Sequence, residues 1–328
     1  MQSIKTTTNS KFSAQTGKTS TIMPWVKRHP YIWFIVPGLI LYSIFVIYPI
    51  VSAAIMSLYY SNGFGDSKFV GFQNYIELFT NKGMYSQFLN AFKNNVLLFV
   101  LNLFLVLPAQ LYLAYLIHTK IRGYRFFQTI IFAPQFITST VVIFMGTLIF
   151  DQNVGIFNHL LTLVGLEDWV RNWLGVPGKG MYVVFLISAW GGIGFSMLYF
   201  IGAMKMLPEE IFEAAYLDGA SYWGRFFHIV LPLLRTSIIN VIIISYIFSM
   251  TVFDYNYLLG GISGGTDHSM DVMTLFFYRV AFGANGAMGG TVSANSIGMG
   301  TTIACVMFVV ILIVAMIQLK LLSRKGEN

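Results

Sequence analysis

The residues best placed to act on another molecule are Glu213-Ala214-Ala215-Tyr216-Leu217-Asp218-Gly219 and, downstream, Ile229-Val230-Leu231-Pro232, a polar island between two long apolar runs. The chemistry this island suits is docking. Pro208 fits the first turn of a helix, where its missing N–H is no loss, and Glu209 and Glu210 complement the positive helix end. Gly219 accepts the left-handed conformation at a helix C-terminus and Asp218 favours a turn. The spacing therefore predicts a short helix from near Pro208, a turn at Gly219 and a second helix after it. Ala214 and Ala215 leave a surface narrow enough to enter a cleft, while Phe226 and Phe227 can pin the loop to the membrane side. From composition alone, a capped amphipathic connector lying at the interface is an equal reading.

A second group lies inside the flanking apolar runs, where unsatisfied polar groups are costly in lipid. Ser188, Trp190 and Ser196 surround Gly191, Gly192 and Gly194, and Asn240, Ser245, Tyr246, Ser249 and Thr251 follow in the next run. Polar groups at such positions invite suspicion of a solute path. The plainer reading is a hydroxyl bonded to its own helix, or small residues at a helix interface. Catalysis is not indicated: Glu209, Glu210 and Glu213 form the only dense acidic group. His29, His118, His159, His228 and His268 are scattered without metal-ligand spacing. Gly283 to Gly300 lacks the Gly-Lys-Ser/Thr ending of a phosphate loop, so neither a catalytic residue nor a metal is expected.

The elements that must position these residues are membrane helices. Of the 328 residues, 56% are hydrophobic and 10% charged, and mean hydropathy is +0.69; a soluble domain carries about 25% charged residues. A crossing needs about 20 mainly apolar residues. Charge-free windows predict six spans: Tyr31 to Gly65, Asn94 to Thr119, Phe126 to Phe150, Gly180 to Met204, Thr236 to Phe253 with borrowed flanks, and Ser296 to Leu322. Lys5, Lys11, Lys18, Lys27, Arg28, Lys120, Arg122, Arg125, Lys205, Arg225, Arg235, Lys320, Arg324 and Lys325 crowd one set of alternate segments. The other set holds Lys68, Lys82, Lys93, Arg171, Lys179 and Arg279. Both termini and the Glu213 loop are thereby expected in the cytoplasm. The net charge of +7 is anchoring charge, with no nucleic-acid partner implied. Residues 1–30 read as a disordered cytoplasmic arm rather than a signal peptide, 31–323 as the transmembrane domain and 324–328 as a cytoplasmic tail.

The string Glu-Ala-Ala, three residues, Gly, nine residues, Ile, one residue, Leu-Pro resembles the coupling loop of ABC-importer permeases. Glu213 to Ser221 with Phe227 and Leu231-Pro232-Leu233-Leu234-Arg235 resembles the carbohydrate branch, of the maltose, glycerol-phosphate and multiple-sugar type. Pro37-Gly38, Tyr48-Pro49 and Phe69-Val70-Gly71-Phe72-Gln73-Asn74-Tyr75 are similar to the opening of its larger-type permease. Phe253-Asp254, Gly260-Gly261, Thr274-Leu275, Tyr278-Arg279 and Ala281-Phe282 are similar to its last outer loop. The resemblance implies an all-α integral membrane protein with the type I importer fold, six spans and a cytoplasmic coupling helix within 205–235.

It implies that Glu213, Ala214, Ala215, Asp218 and Gly219 meet an ATPase, and that Ser188, Gly191, Gly192, Phe195, Ser245, Phe248, Ser249 and Val252 line the solute path. Amide and tyrosine groups of the maltose-type path are replaced at these positions by serines and phenylalanines. The implied partners are a second homologous permease, two copies of a cytoplasmic ATPase that bind the ATP and Mg, an extracytoplasmic binding protein, a carbohydrate and membrane lipid. The implied location is the bacterial inner membrane. The competing class, an ion- or proton-coupled secondary transporter, places ionisable residues in the membrane interior; only Asp254 qualifies, toward the outer end.

Overall fold

The computed structural model describes residues 32–63, 65, 67–283 and 296–323; the expected arm and tail lie outside them. The chain divides into two compact units, Met1–Ser52 and Ala53–Asn328. The principal helices are numbered α1 (Phe34–Met56), α2 (Lys82–His118), α3 (Tyr124–Phe136), α4 (Ser139–Ile149), α5 (Gly180–Lys205), α6 (Glu209–Leu217), α7 (Arg235–Thr251), α8 (Asp254–Gly260), α9 (Met273–Phe282) and α10 (Ser296–Ser323). Among the described residues, five stretches are long and apolar enough to cross a membrane: α1, α2, α5, Arg235–Gly260 and Ser296–Lys320. A sixth exists only if α3 and α4, bent by 103° across a short break, count as one.

That bend corrects the expected straight span from Phe126 to Phe150. Pro134 has no N–H and cannot extend an α-helix. The backbone tightens to a 3-10 turn over Ala133–Phe136 and is extended at Ile137 and Thr138 before α4 begins. α5 packs directly against the bend at Gly194, where an added Cβ would lie 2.9 Å from Phe132 Cα and 3.1 Å from the Ile131 carbonyl. α2 also departs from expectation, starting at Lys82 instead of Asn94. Asn81 caps it, its Oδ1 accepting from the N–H groups of Gly83 and Met84 at 3.0 and 3.3 Å. At about 1.5 Å per residue this helix outruns a hydrocarbon layer of about 30 Å.

Three other prolines act more gently. The five-residue π turns Ser43–Ile47, Asn102–Val106 and Phe226–Val230 each end one residue before an X-Pro pair, at Tyr48-Pro49, Leu107-Pro108 and Leu231-Pro232. The proline ring collides with the carbonyl four residues back. Widening the preceding turn moves that carbonyl aside, and the N–H of Tyr48, Leu107 or Leu231 reaches five residues back instead of four.

The irregular backbone around the start of α5 is held by amide side chains. Asn95 Nδ2 donates to the Ser249 carbonyl at 2.6 Å while its Oδ1 accepts the Met273 N–H at 2.9 Å. Asn94 and Asn256 donate to the carbonyls of Asp271 and Met270, and the Thr274 hydroxyl donates to the Val252 carbonyl. Asp271 is completely buried and paired with Arg279 through both carboxylate oxygens, at 2.6 and 3.1 Å. Burial pushes the Asp271 carboxyl above its ordinary range, against the opposing pull of Arg279. Asp254, the acid singled out from the sequence, is exposed. The buried carboxylate is instead Asp271, in the segment before α9, locked to the guanidinium of Arg279.

Candidate functional site

A cavity of about 360 Å³ opens between α2, the α3–α4 bend, α5 and α7. Six of the eight sequence-assigned path residues border it: Ser188, Gly191, Gly192 and Phe195 from α5, Ser245 and Phe248 from α7. Phe195 and Phe248 are half exposed, so each offers ring surface to a guest. Gly192 faces open space, with no heavy atom within 4 Å of an added Cβ. Ser188 behaves as the plainer reading expected, its hydroxyl donating to the Phe185 carbonyl at 3.0 Å.

Ser249 and Val252 do not border the cavity. Ser249 is fully buried and its carbonyl holds Asn95. Val252 is 5% exposed and packs with Leu98, Met181 and Val272, its carbonyl taken by Thr274. Both therefore anchor the end of α7, because the helix is drawn there into the amide-stapled backbone.

Sequence reasoning missed the other half of the lining. Asn102 and Gln110 come from α2, Gln135 and Ser139 from the bend, and Tyr255 from α8. Gln110 Nε2 donates to the Gly192 carbonyl at 3.5 Å and Asn102 Nδ2 to Leu98 at 2.9 Å. The amide and tyrosine groups absent from the eight assigned positions thus enter from neighbouring elements. A signal was available: Asn102 and Gln110 are amides inside a charge-free window, the feature used to select residues in the two runs beside the docking loop.

The helix expected from near Pro208 forms, with two adjustments. Pro208 lies just outside it, at ψ 131°, and the first turn is Glu209–Glu210. Its C-terminus closes with paired bonds, from the N–H of Ala220 to the Ala215 carbonyl at 2.9 Å and from Gly219 to Tyr216 at 3.1 Å. That closure requires φ +74° at Gly219, which a side chain resists. Glu213, Ala214, Asp218 and Gly219 are exposed, as are Tyr216 and Leu217. Ala215, 8% exposed, faces its own chain, so only Ala214 presents the narrow surface outward. Ser221 then caps the next turn by accepting the Gly224 N–H at 3.0 Å.

Rings hold this knob to the bundle. Trp223 stacks on Tyr112 at 5.2 Å between centroids, Phe226 lies 4.9 Å from Tyr115, and Phe212 lies 5.4 Å from His118. Phe226 is buried, whereas Phe227 is half exposed and packs on the rings of Trp223 and Phe226. Among the described residues no cluster of three or more His, Cys, Asp or Glu could hold a metal ion.

Long apolar helices, one pair of them sharply bent, surround a polar-aromatic cavity, and a short exposed helix follows α5. The family model described as binding-protein-dependent transport system inner membrane component matches residues 83–326, and the chain belongs to that family. It is a transport component, not an enzyme. The chain is 31% identical over 302 residues to the probable ABC transporter permease protein YurN of Bacillus subtilis (strain 168), covering 91% of this chain and 97% of that protein. It is 30% identical to the arabinooligosaccharides transport system permease protein AraP of the same strain, over 92% of this chain and 91% of the relative. A chain from the crystal structure of a bacterial ABC transporter involved in the import of alginate has the same fold, with a TM-score of 0.75 at 22% identity over 93% of this chain and 99% of that chain.

Proposed function

We propose that this chain is the membrane subunit through which an oligosaccharide, handed over by an external binding protein, enters a bacterial cell by alternating access. The observation that carries the reading is the cavity itself. It offers two half-exposed rings, Phe195 and Phe248, with serines, amides and Tyr255 around them, the lining that carbohydrate C–H faces and hydroxyls require. The names of the relatives support the class: AraP serves arabinooligosaccharides and LacF of Rhizobium radiobacter lactose.

In this reading Glu213, Ala214, Asp218 and Gly219 dock a cytoplasmic ATPase, two copies of which bind ATP and Mg, and a second homologous permease completes the passage. α5 runs from the cavity wall to Lys205, four residues before α6 begins, so displacement of the docking helix is transmitted to the cavity by one rigid element. The test is oligosaccharide uptake by the reconstituted complex. Phe195→Ala with Phe248→Ala is expected to lower uptake or alter its size preference, while assembly and basal ATP hydrolysis persist. Unchanged kinetics and selectivity would leave recognition to the binding protein and remove these rings from the site.

A further inference from the structure

A second cavity, of about 450 Å³, lies at the opposite end of α5 from the docking helix, where the segment between α4 and α5 folds against the first turns of α5. Its lining carries two cations, Arg171 and Lys179, and no carboxylate. Arg171 lies over the rings of Trp169 and Trp173, at 5.7 and 5.3 Å, and Lys179 over Tyr182 at 5.6 Å. The nearest acids are otherwise disposed. Glu167 and Asp168 precede Trp169 but line no part of the cavity, and the Asp151 carboxylate accepts the N–H groups of Asn153 and Val154. Among the described residues neither cation has a carboxylate partner.

The site is preformed. Asn158, 4% exposed, donates to the carbonyls of Asp151, Gln152 and Arg171 and accepts the Trp173 indole N–H at 2.8 Å. One buried amide thus fixes both the backbone that bears Arg171 and a ring beneath its guanidinium.

The surroundings say what kind of molecule fits. From Lys179, the exposed residues Tyr182, Leu186 and Trp190 descend α5 in a stripe. At about 100° per residue this face lies roughly opposite the one that turns Ser188, Gly192 and Phe195 toward the transport cavity. A charged mouth therefore opens onto an apolar strip that leads along the outside of a membrane span. A solute would need polar groups along its length to match a passage, whereas an amphiphile with an anionic head needs this arrangement of cations above apolar surface.

We propose that this cavity is a binding site for one anionic phospholipid, its phosphate held by Arg171 and Lys179 and an acyl chain lying on Tyr182, Leu186 and Trp190. The inference stands on the membrane location of the family and is independent of which solute is carried. It is tested by native mass spectrometry of the delipidated complex titrated with phosphatidylglycerol or phosphatidylcholine. Phosphatidylglycerol is expected to remain bound and phosphatidylcholine to be lost. Arg171→Gln with Lys179→Gln should lower phosphatidylglycerol retention about thirtyfold, the order that two basic residues supply toward an anionic lipid. Lys68→Gln with Lys82→Gln should leave it unchanged. If the double variant fails to assemble, Lys179→Gln alone, at an exposed position, carries the test and should still reduce retention. Equal retention of the two lipids would reduce the site to ordinary aromatic anchoring and overturn the proposal. So would displacement by soluble sn-glycerol 3-phosphate, or crosslinking of a photoreactive residue at Trp169 to a copurifying protein.

Discussion

The two ends of α5 lie beside regions held by opposite chemistry. Next to Gly180, which packs on Met270, side-chain amides bond to named backbone atoms and the Asp271–Arg279 pair joins two side chains, holding a non-helical segment in one geometry. Around Lys205, the docking knob is held by stacked and tilted rings, with few directional bonds. Buried hydrogen bonds fail abruptly when displaced, whereas ring contacts are individually modest and tolerate sliding. The first end is held as a fixed frame and the second by contacts that tolerate movement.

The sharpest way to break this comparison is at the ion pair. Arg279→Gln leaves a buried carboxylate without its cation and should cost about 3–5 kcal/mol, read as a lower melting temperature in detergent; adding Asp271→Asn should recover part of it. The loss should also shrink on acidification. With its pKa raised, Asp271 binds a proton more readily folded than unfolded, so between the ordinary carboxylate value and the raised one stability falls as pH rises. Removing Arg279 lifts the folded value further and widens that window. A pH-independent deficit would contradict the assignment.

Asn95→Ala comes next, stranding the Ser249 carbonyl and the Met273 N–H at about 1–3 kcal/mol each, again read by melting. Gly219→Val should cost about 1–2 kcal/mol of local strain, since an added Cβ meets nothing within 4 Å. The complex should assemble, yet transport-stimulated ATP hydrolysis should drop, while Gly219→Asn, a residue that enters the left-handed region, should retain most of it. Trp223→Phe, which keeps most of the apolar area but shortens the stack on Tyr112, should have the smallest effect on melting, about 0.5–1.5 kcal/mol. A larger loss there than at Asn95 would erase the distinction between the ends.

Legibility from the sequence followed the range of the physics. The helix from near Pro208 and the turn at Gly219 are decided within a few residues, and the residue types announced them. The long apolar helices α5 and α10 were equally plain, because uninterrupted hydrophobicity needs no partner to be recognised. The bend at Pro134 was missed by a search that counted charges and ignored the one residue unable to donate. Gln110 meets Gly192 across more than eighty residues of chain, and Asn95 meets Ser249 and Met273 across more than one hundred and fifty. Such pairings arise from packing, which composition windows do not encode. Ser249 and Val252 were placed on the path by alignment to a fixed spacing, and the structure turns them into anchors for Asn95 and Thr274.

The π turn at Asn102–Val106 has a consequence for inheritance as well as shape. It admits one residue more than a regular helix would, so everything after it is turned by about 100° relative to an uninterrupted helix. Asn102 and Gln110 stand on the two sides of this slip and yet border the same cavity. Point substitutions cannot easily undo such an arrangement. Deleting a single residue between Asn102 and Val106 would restore ordinary pairing in the backbone, swing Gln110 out of the wall, and drive Pro108 into the carbonyl that the extra residue had moved aside.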